Sequence, residues 1–282
     1  MKLLVTGATG RIGSRLIPRL LQQDNVVRIL ARNKEQAEPF RERGAKVAVG
    51  DLLQPETLKQ AVTGVDAVIH LAAFFRGATP AQAQAVNYDG TLALAQEAKL
   101  ANVSKFIYIS TNLVYGAGRG HPAREEDEPQ PPTERSYPVS KWAAEQALTD
   151  LYRGQGAALY ILRLAFVYGE GDPHLGEALN LMRTWPSAKR VHMVHHADVA
   201  QAITLTLDKT ETNEKLYNVA DDEPVPISEI RRLNGAIDPN ETNNITLDDP
   251  WEGIVDTSRI KNELGFHPVY PSLSIAIARN AL

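Results

Sequence analysis

Thr6-Gly7-Ala8-Thr9-Gly10-Arg11-Ile12-Gly13 is the stretch from which the fold of this chain follows. It comes after Lys2–Thr6, a short apolar run ending in β-branched residues, and it opens Ile12–Gln22, where apolar residues recur at helical spacing. Glycines allow the main chain a tight turn and a close approach to a ligand. The helix behind them presents free N–H groups and a partial positive charge to a pyrophosphate. Strand, three-glycine turn and helix in this order predict a dinucleotide cradle at Gly7, Thr9, Gly10, Arg11, Ile12 and Gly13.

The alternation continues outward from there. Strands are expected at Val26–Ala31, Lys46–Val49, Ala67–Leu71, Lys105–Ser110 and Ala158–Leu164, and helices at Pro55–Val62, Ala81–Ala101 and Ser140–Arg153. Most of the strands are apolar on both faces, as strands covered by helices on both sides must be. The pattern predicts an α/β, Rossmann-type, doubly wound parallel sheet over residues 1–168. A return segment is expected at about 197–215, with a strand near Asp198–Leu207. Residues 169–196 and 216–282, rich in proline and irregular in pattern, read as a small C-terminal substrate lobe. Between them, His121–Arg135 reads as a solvated surface loop, with four prolines and the acidic run Glu125-Glu126-Asp127-Glu128.

The cofactor's second phosphate turns on the end of the second strand. NAD enzymes of this design carry a carboxylate there for the ribose hydroxyls, but Val27-Arg28-Ile29-Leu30-Ala31 ends at Arg32. A guanidinium suits a 2′-phosphate, and Arg11 lies in the glycine turn, so NADP is favoured over NAD. For the chemistry, Tyr137 and Lys141 in Tyr137-Pro138-Val139-Ser140-Lys141 fall one turn apart if a helix begins near Pro138. A phenol beside an ammonium can donate or accept the proton that accompanies hydride transfer. Ligands bind beyond the carboxyl ends of strands in such sheets, which places the Thr111 hydroxyl where it can meet a substrate carbonyl.

These elements resemble the extended short-chain dehydrogenases, specifically the NAD-dependent epimerase/dehydratase group, across nearly the whole chain. The resemblance is carried by TGATGRIG at 6–13, GDL at 50–52, HLAA at 70–73, VNYDGT around Asn87, ISTNLVYG at 109–116, YPVSK at 137–141, LRLAFVYG at 162–169 and HHADVA at 195–200. It implies that Thr111, Tyr137 and Lys141 form a catalytic triad, with Tyr137 and Lys141 also at the cofactor. It further implies that Asp51 and Leu52 flank adenine, that Leu71, Ala72 and Ala73 line the diphosphate and ribose, and that Arg163 lies near the nicotinamide. Asn87 would tie helix to strand. The chain departs from sugar-nucleotide members at Phe166, where they carry a polar residue, and in Leu175–Val194, which is short and lacks a glycine-rich turn followed by a diphosphate-binding arginine.

The leading expectation is an NAD(P)-dependent oxidoreductase acting on a hydroxyl or carbonyl of a small, sugar-like or otherwise polar substrate. The alternatives are a nucleotide-sugar epimerase that keeps its cofactor and a non-catalytic NADP-sensing regulator. Metal binding is not expected from His195, His196 and Asp198: neighbouring histidines point apart, and Asp198 reads as a capping residue. His192 and His195 alternate on a strand, so one of them is expected to face the substrate cleft. The 282 residues carry a net charge of −4, which offers no attraction to nucleic acid or an anionic membrane. Cysteine is absent, which removes disulfides and thiolate metal sites. No leader-like or membrane-spanning apolar run is found, so a cytoplasmic location is expected. A homodimer is left open.

Overall fold

The computed structural model describes residues 1–75, 77, 79–154, 156–211, 214–235 and 249–282; part of the expected C-terminal lobe therefore lies outside the described residues. In chain order the first elements are β1 (Lys2–Thr6), α1 (Arg11–Gln22), β2 (Val26–Ala31), α2 (Lys34–Arg41), β3 (Lys46–Val49), α3 (Leu58–Val62), β4 (Ala67–His70), α4 (Pro80–Ala83), α5 (Gly90–Leu100), β5 (Lys105–Thr111), α6 (Ser136–Tyr152) and β6 (Ala158–Leu164). There follow β7 (Phe166–Tyr168), α7 (His174–Met182), β8 (Arg190–Val191), β9 (Met193–His195), α8 (His196–Asp208), β10 (Glu214–Val219), β11 (Val225–Pro226), α9 (Ile227–Leu233), α10 (Ser258–Leu264) and α11 (Leu273–Ala278).

Seven strands form the main sheet in the order β10-β6-β5-β4-β1-β2-β3, with helices flanking it, which is the Rossmann-type arrangement. The order reverses between β1 and β4, and the crevice at such a switch point is where an open α/β sheet binds ligands. Register fixes the neighbours there: Thr6, the last residue of β1, pairs with Leu30 on β2 and His70 on β4. Both β5 and β6 are buried at every position, as their apolar sequences required.

The chain divides into two compact units: residues 1–114, 131–163 and 203–217, and residues 115–130, 164–202 and 218–282. The first contains a core of Leu4, Leu52, Leu58, Leu94, Phe106, Leu148 and Leu159 with their neighbours. In the second, Tyr168, Leu175, Met182, Met193, Ile227, Ile230 and Leu273 form another. There Arg231 is buried and donates to the carbonyls of Met182, Arg183 and Trp185, closing the end of α7.

Three expectations need correction. The segment near Asp198–Leu207 is not a strand but the helix α8, and the chain returns to the sheet afterwards as β10. Its buried residues Val199, Ala200, Ala202, Ile203, Thr206 and Leu207 follow helical spacing. The buried Lys105 ammonium donates to the carbonyls of Thr206 (2.8 Å) and Lys209 (2.6 Å), satisfying the last turn. Secondly, Ala81–Ala101 is not one helix. Thr79 and Gln82 form a capping box that starts α4, and a π-helical stretch, Gln84–Asp89, precedes α5. A π-bulge re-aims side chains, and Asn87 here is completely buried. Thirdly, the acidic run is not wholly solvated, because Glu125 is buried and accepts the Asn218 N–H at 2.8 Å. Asn218 also accepts from the Tyr115 hydroxyl and donates to the carbonyls of Ala123 and Asp256, fastening this loop.

Candidate active site

The glycine turn occupies the switch point. A Cβ on Gly7, whose φ is +69°, would lie 2.7 Å from the Ala72 nitrogen, and one on Gly13 would lie 2.2 Å from the Gly7 carbonyl oxygen. Neither position tolerates a side chain. Gly10 is the N-cap of α1 and brings no side-chain hydrogen bond, and the first turn holds no acidic residue. The helix end is thus left with its N–H donors and positive pole for an outside anion, which fits a pyrophosphate. Thr9, Arg11 and Arg32 are exposed and Ile12 is partly buried. The Asp51 carboxylate accepts from the Leu53 N–H at 3.0 Å, while Leu52 turns its side chain into the core. Leu71 and Ala72 are partly exposed and Ala73 exposed, beyond the end of β4.

Beneath the turn runs a buried chain of hydrogen bonds. Thr91 donates to the Asn87 carbonyl (2.8 Å), so its oxygen accepts from His70 Nε2 (2.8 Å), leaving His70 Nδ1 to accept from the Thr6 hydroxyl (2.6 Å). Burial holds His70 neutral, lowering it to about 3, in keeping with this single tautomer. Thr6 accepts from the Ala72 N–H in turn. At the other end, the Asn87 amide clamps Phe74 through both N–H and C=O, at 2.7 and 3.0 Å. It also donates to Ser140 (3.0 Å), which bonds the Tyr137 carbonyl at 2.9 Å. The glycine turn and the first turn of α6 are therefore parts of one polar network.

Helix α6 carries Tyr137 and Lys141 and lies against β5. The Lys141 ammonium sits 3.9 Å from the centroid of the Tyr108 ring, and Glu145, one turn further on, accepts from the Ser110 hydroxyl. Glu145 is in turn gripped by Arg163, with Nη2–Oε2 at 2.6 Å and Nε–Oε2 at 3.1 Å, both side chains about 2% exposed. The charge of Arg163 is committed to Glu145 inside the unit. These contacts hold the end of β5, with Thr111, beside the helix that bears Tyr137 and Lys141. Thr111 is buried, and its oxygen accepts the Leu113 N–H at 3.3 Å, leaving its proton available.

Burial raises the Tyr137 phenol well above its ordinary value, so it stays protonated at neutral pH. Burial lowers Lys141 to about 7, against the opposing attraction of Glu145. The unfolded value is near 10.5, so burying this ammonium destabilises the fold in full below about pH 7, and the penalty fades as pH rises toward 10.5. Lys141→Met is therefore expected to raise the thermal midpoint of the cofactor-free protein, and by more at pH 6 than at pH 9. Equal gains at both values, measured by calorimetry, would show that charge burial is not the cause.

In the second unit the histidines are structural. His192 accepts from the Val255 N–H and donates to the Asp221 carbonyl, while His195 accepts from Ala197 and donates to Ala281. Both are buried, which corrects the expectation that one faces a substrate cleft. His196 pairs with Asp172 at 2.8 Å. Asp198 caps the main chain of Val269 and Tyr270 rather than a helix end. Phe166 is stacked on His174, with centroids 4.2 Å apart.

Comparison with known proteins agrees with this architecture. The model of the NAD dependent epimerase/dehydratase family matches residues 3–220. The chain belongs to that family. Among its relatives is a 4-hydroxy-2-methyl-3-oxo-4-farnesyl-3,4-dihydroquinoline-1-oxide ketoreductase from Stigmatella aurantiaca, 30% identical over 80% of this chain and 70% of the relative. A short-chain dehydrogenase/reductase superfamily protein from Agrobacterium tumefaciens with bound NAD superposes with a TM-score of 0.78 at 25% identity, over 99% of this chain and 97% of the other. A dTDP-glucose 4,6-dehydratase from Streptomyces venezuelae with bound NAD superposes with a TM-score of 0.80 at 25% identity, over 99% and 95%. Among the described residues no helix is long and apolar enough to cross a membrane.

The part of this epimerase/dehydratase-family site that sequence motifs missed is its support. Ser110, Glu145 and Arg163 are far apart in the chain, and only the one-turn spacing of Glu145 from Lys141 hinted that it shares their helix face.

Proposed function

We propose that this chain is an NAD(P)-dependent oxidoreductase that reduces a ketone to an alcohol, with Tyr137 as proton donor. The observation that carries this reading is the anchored helix α6, which sets a protonated phenol and a lysine of lowered basicity beside the end of β5. The glycine turn at Gly7, Gly10 and Gly13 would hold a nicotinamide cofactor, which would supply the hydride for the carbonyl carbon. Tyr137 gives its phenolic proton to the carbonyl oxygen, and the Thr111 hydroxyl donates a hydrogen bond to the same oxygen as negative charge builds on it. Lys141, poised near neutrality, holds the proton that returns the phenolate to its resting state. Burial keeps on the phenol the proton that reduction consumes.

The reading is supported further by the ketoreductase relative. A nucleotide sugar is disfavoured because two of the three cations of the 174–193 stretch are already engaged: Lys189 pairs with Glu252, and Arg190 lies over the Trp251 ring at 5.2 Å. Retention of Thr111, Tyr137 and Lys141 argues against a purely sensing role.

For the cofactor, exposed Arg32 favours NADPH. NADPH is expected to bind at least tenfold more tightly than NADH, and Arg32→Asp to narrow or reverse the preference. Calorimetric titration of both cofactors at one salt concentration checks this, and equal affinities in the unmutated chain would refute it. Consumption of NADPH with a ketone, followed by absorbance, tests the activity itself.

A further inference from the structure

Phe74 and Phe75 follow the end of β4 and are 37% and 43% exposed, although both are large and apolar. The Asn87 amide holds both main-chain groups of Phe74, and the capping box at Thr79 fixes the start of the next helix. Phe75 turns its ring to Tyr137, with centroids 4.6 Å apart at 61°. Burial raises the titration of this phenol. A substrate that reaches the Tyr137 hydroxyl therefore meets an aromatic face at that point.

We infer that Phe75, supported by Phe74, is a specificity-determining wall of the site and selects a ketone on an apolar, planar ring frame. This rests on the ketone-reducing function proposed above and names its substrate class. The physical ground is that an exposed aromatic ring gains most from covering by another flat apolar surface. The clamp on Phe74 means that the wall is in place before binding, so little ordering entropy opposes capture.

The test uses the full chain, NADPH and two neutral ketones, the bicyclic 1-tetralone and the polar dihydroxyacetone. The ratio of kcat/KM for 1-tetralone over dihydroxyacetone is expected to fall about tenfold in Phe75→Ala, mostly through KM for 1-tetralone, and to recover in part in Phe75→Leu. A ratio within twofold of the unmutated chain would overturn the assignment. If the unmutated chain oxidises NADPH with neither ketone, the reductase reading has failed, and binding decides the question for the wall separately. Saturation-transfer NMR of 1-tetralone on the NADP-loaded chain then supports it if ring-proton signals are lost in Phe75→Ala. Equal signals in both proteins, or none in the unmutated chain, reject it.

Discussion

Tyr137→Phe is expected to lower NADPH-dependent ketone reduction by about 10²-fold or more while leaving cofactor affinity nearly unchanged. The substitution deletes one oxygen and keeps the ring, so the edge contact with Phe75 and the helix around it persist. What disappears is the only phenolic proton of α6 at the end of β5 among residues 136–141. Thr111 can donate a hydrogen bond, but an aliphatic hydroxyl does not release a proton at neutral pH. Single-turnover absorbance traces beside a cofactor titration separate the two quantities. Turnover within a few-fold of the unmutated protein would remove Tyr137 from the role of acid.

Arg163→Met is expected to destabilise the protein by about 3–5 kcal/mol, because it leaves Glu145 charged, buried and unpaired. For a chain of this size that corresponds to a fall of about 10 °C in Tm. The pair is bidentate, about 2% exposed on both sides, and extended to Ser110 through Glu145. Glu145→Gln should lose less, since the amide still accepts from Arg163 and Ser110, and Glu145→Leu combined with Arg163→Met should recover most of the loss by removing both charges. The interaction between the two sites, read from this double-mutant cycle, is the quantity to measure. A Tm change below about 3 °C for Arg163→Met would show that the pair does not hold the unit together. Because Ser110 precedes Thr111, the same variant should also loosen the Thr111 hydroxyl, and if that hydroxyl acts as proposed, kcat should fall more than KM changes.

Much of the fold was legible because its signals are local. The strands β2, β3 and β6 run from the residues expected, since an apolar run flanked by turn residues is a property of neighbours in the chain. The same holds for Gly13, required by contacts with Gly7 and Ala8 a few residues away, whereas Gly7 is required by Leu71 and Ala72, which only the sheet brings beside it. Where β-branched residues fall within a helix, as Val199, Ile203 and Thr206 do in α8, local preference pointed to strand. Burial of one helical face and the Lys105 cap then overrode that preference.

By itself, then, the chain determined the strands β1 to β6, the phosphate-binding turn and the spacing of Tyr137 from Lys141, because each is signalled by residues close together in the chain. Only the tertiary structure decided how the site is supported and what surrounds it. His70 bridges Thr6 and Thr91, Asn87 joins Phe74 to Ser140, Arg163 belongs to Glu145 and Phe75 faces Tyr137. None of these partners is written into local pattern. A buried polar or charged group must find a partner wherever the packed chain brings one, and that choice is made by the fold as a whole.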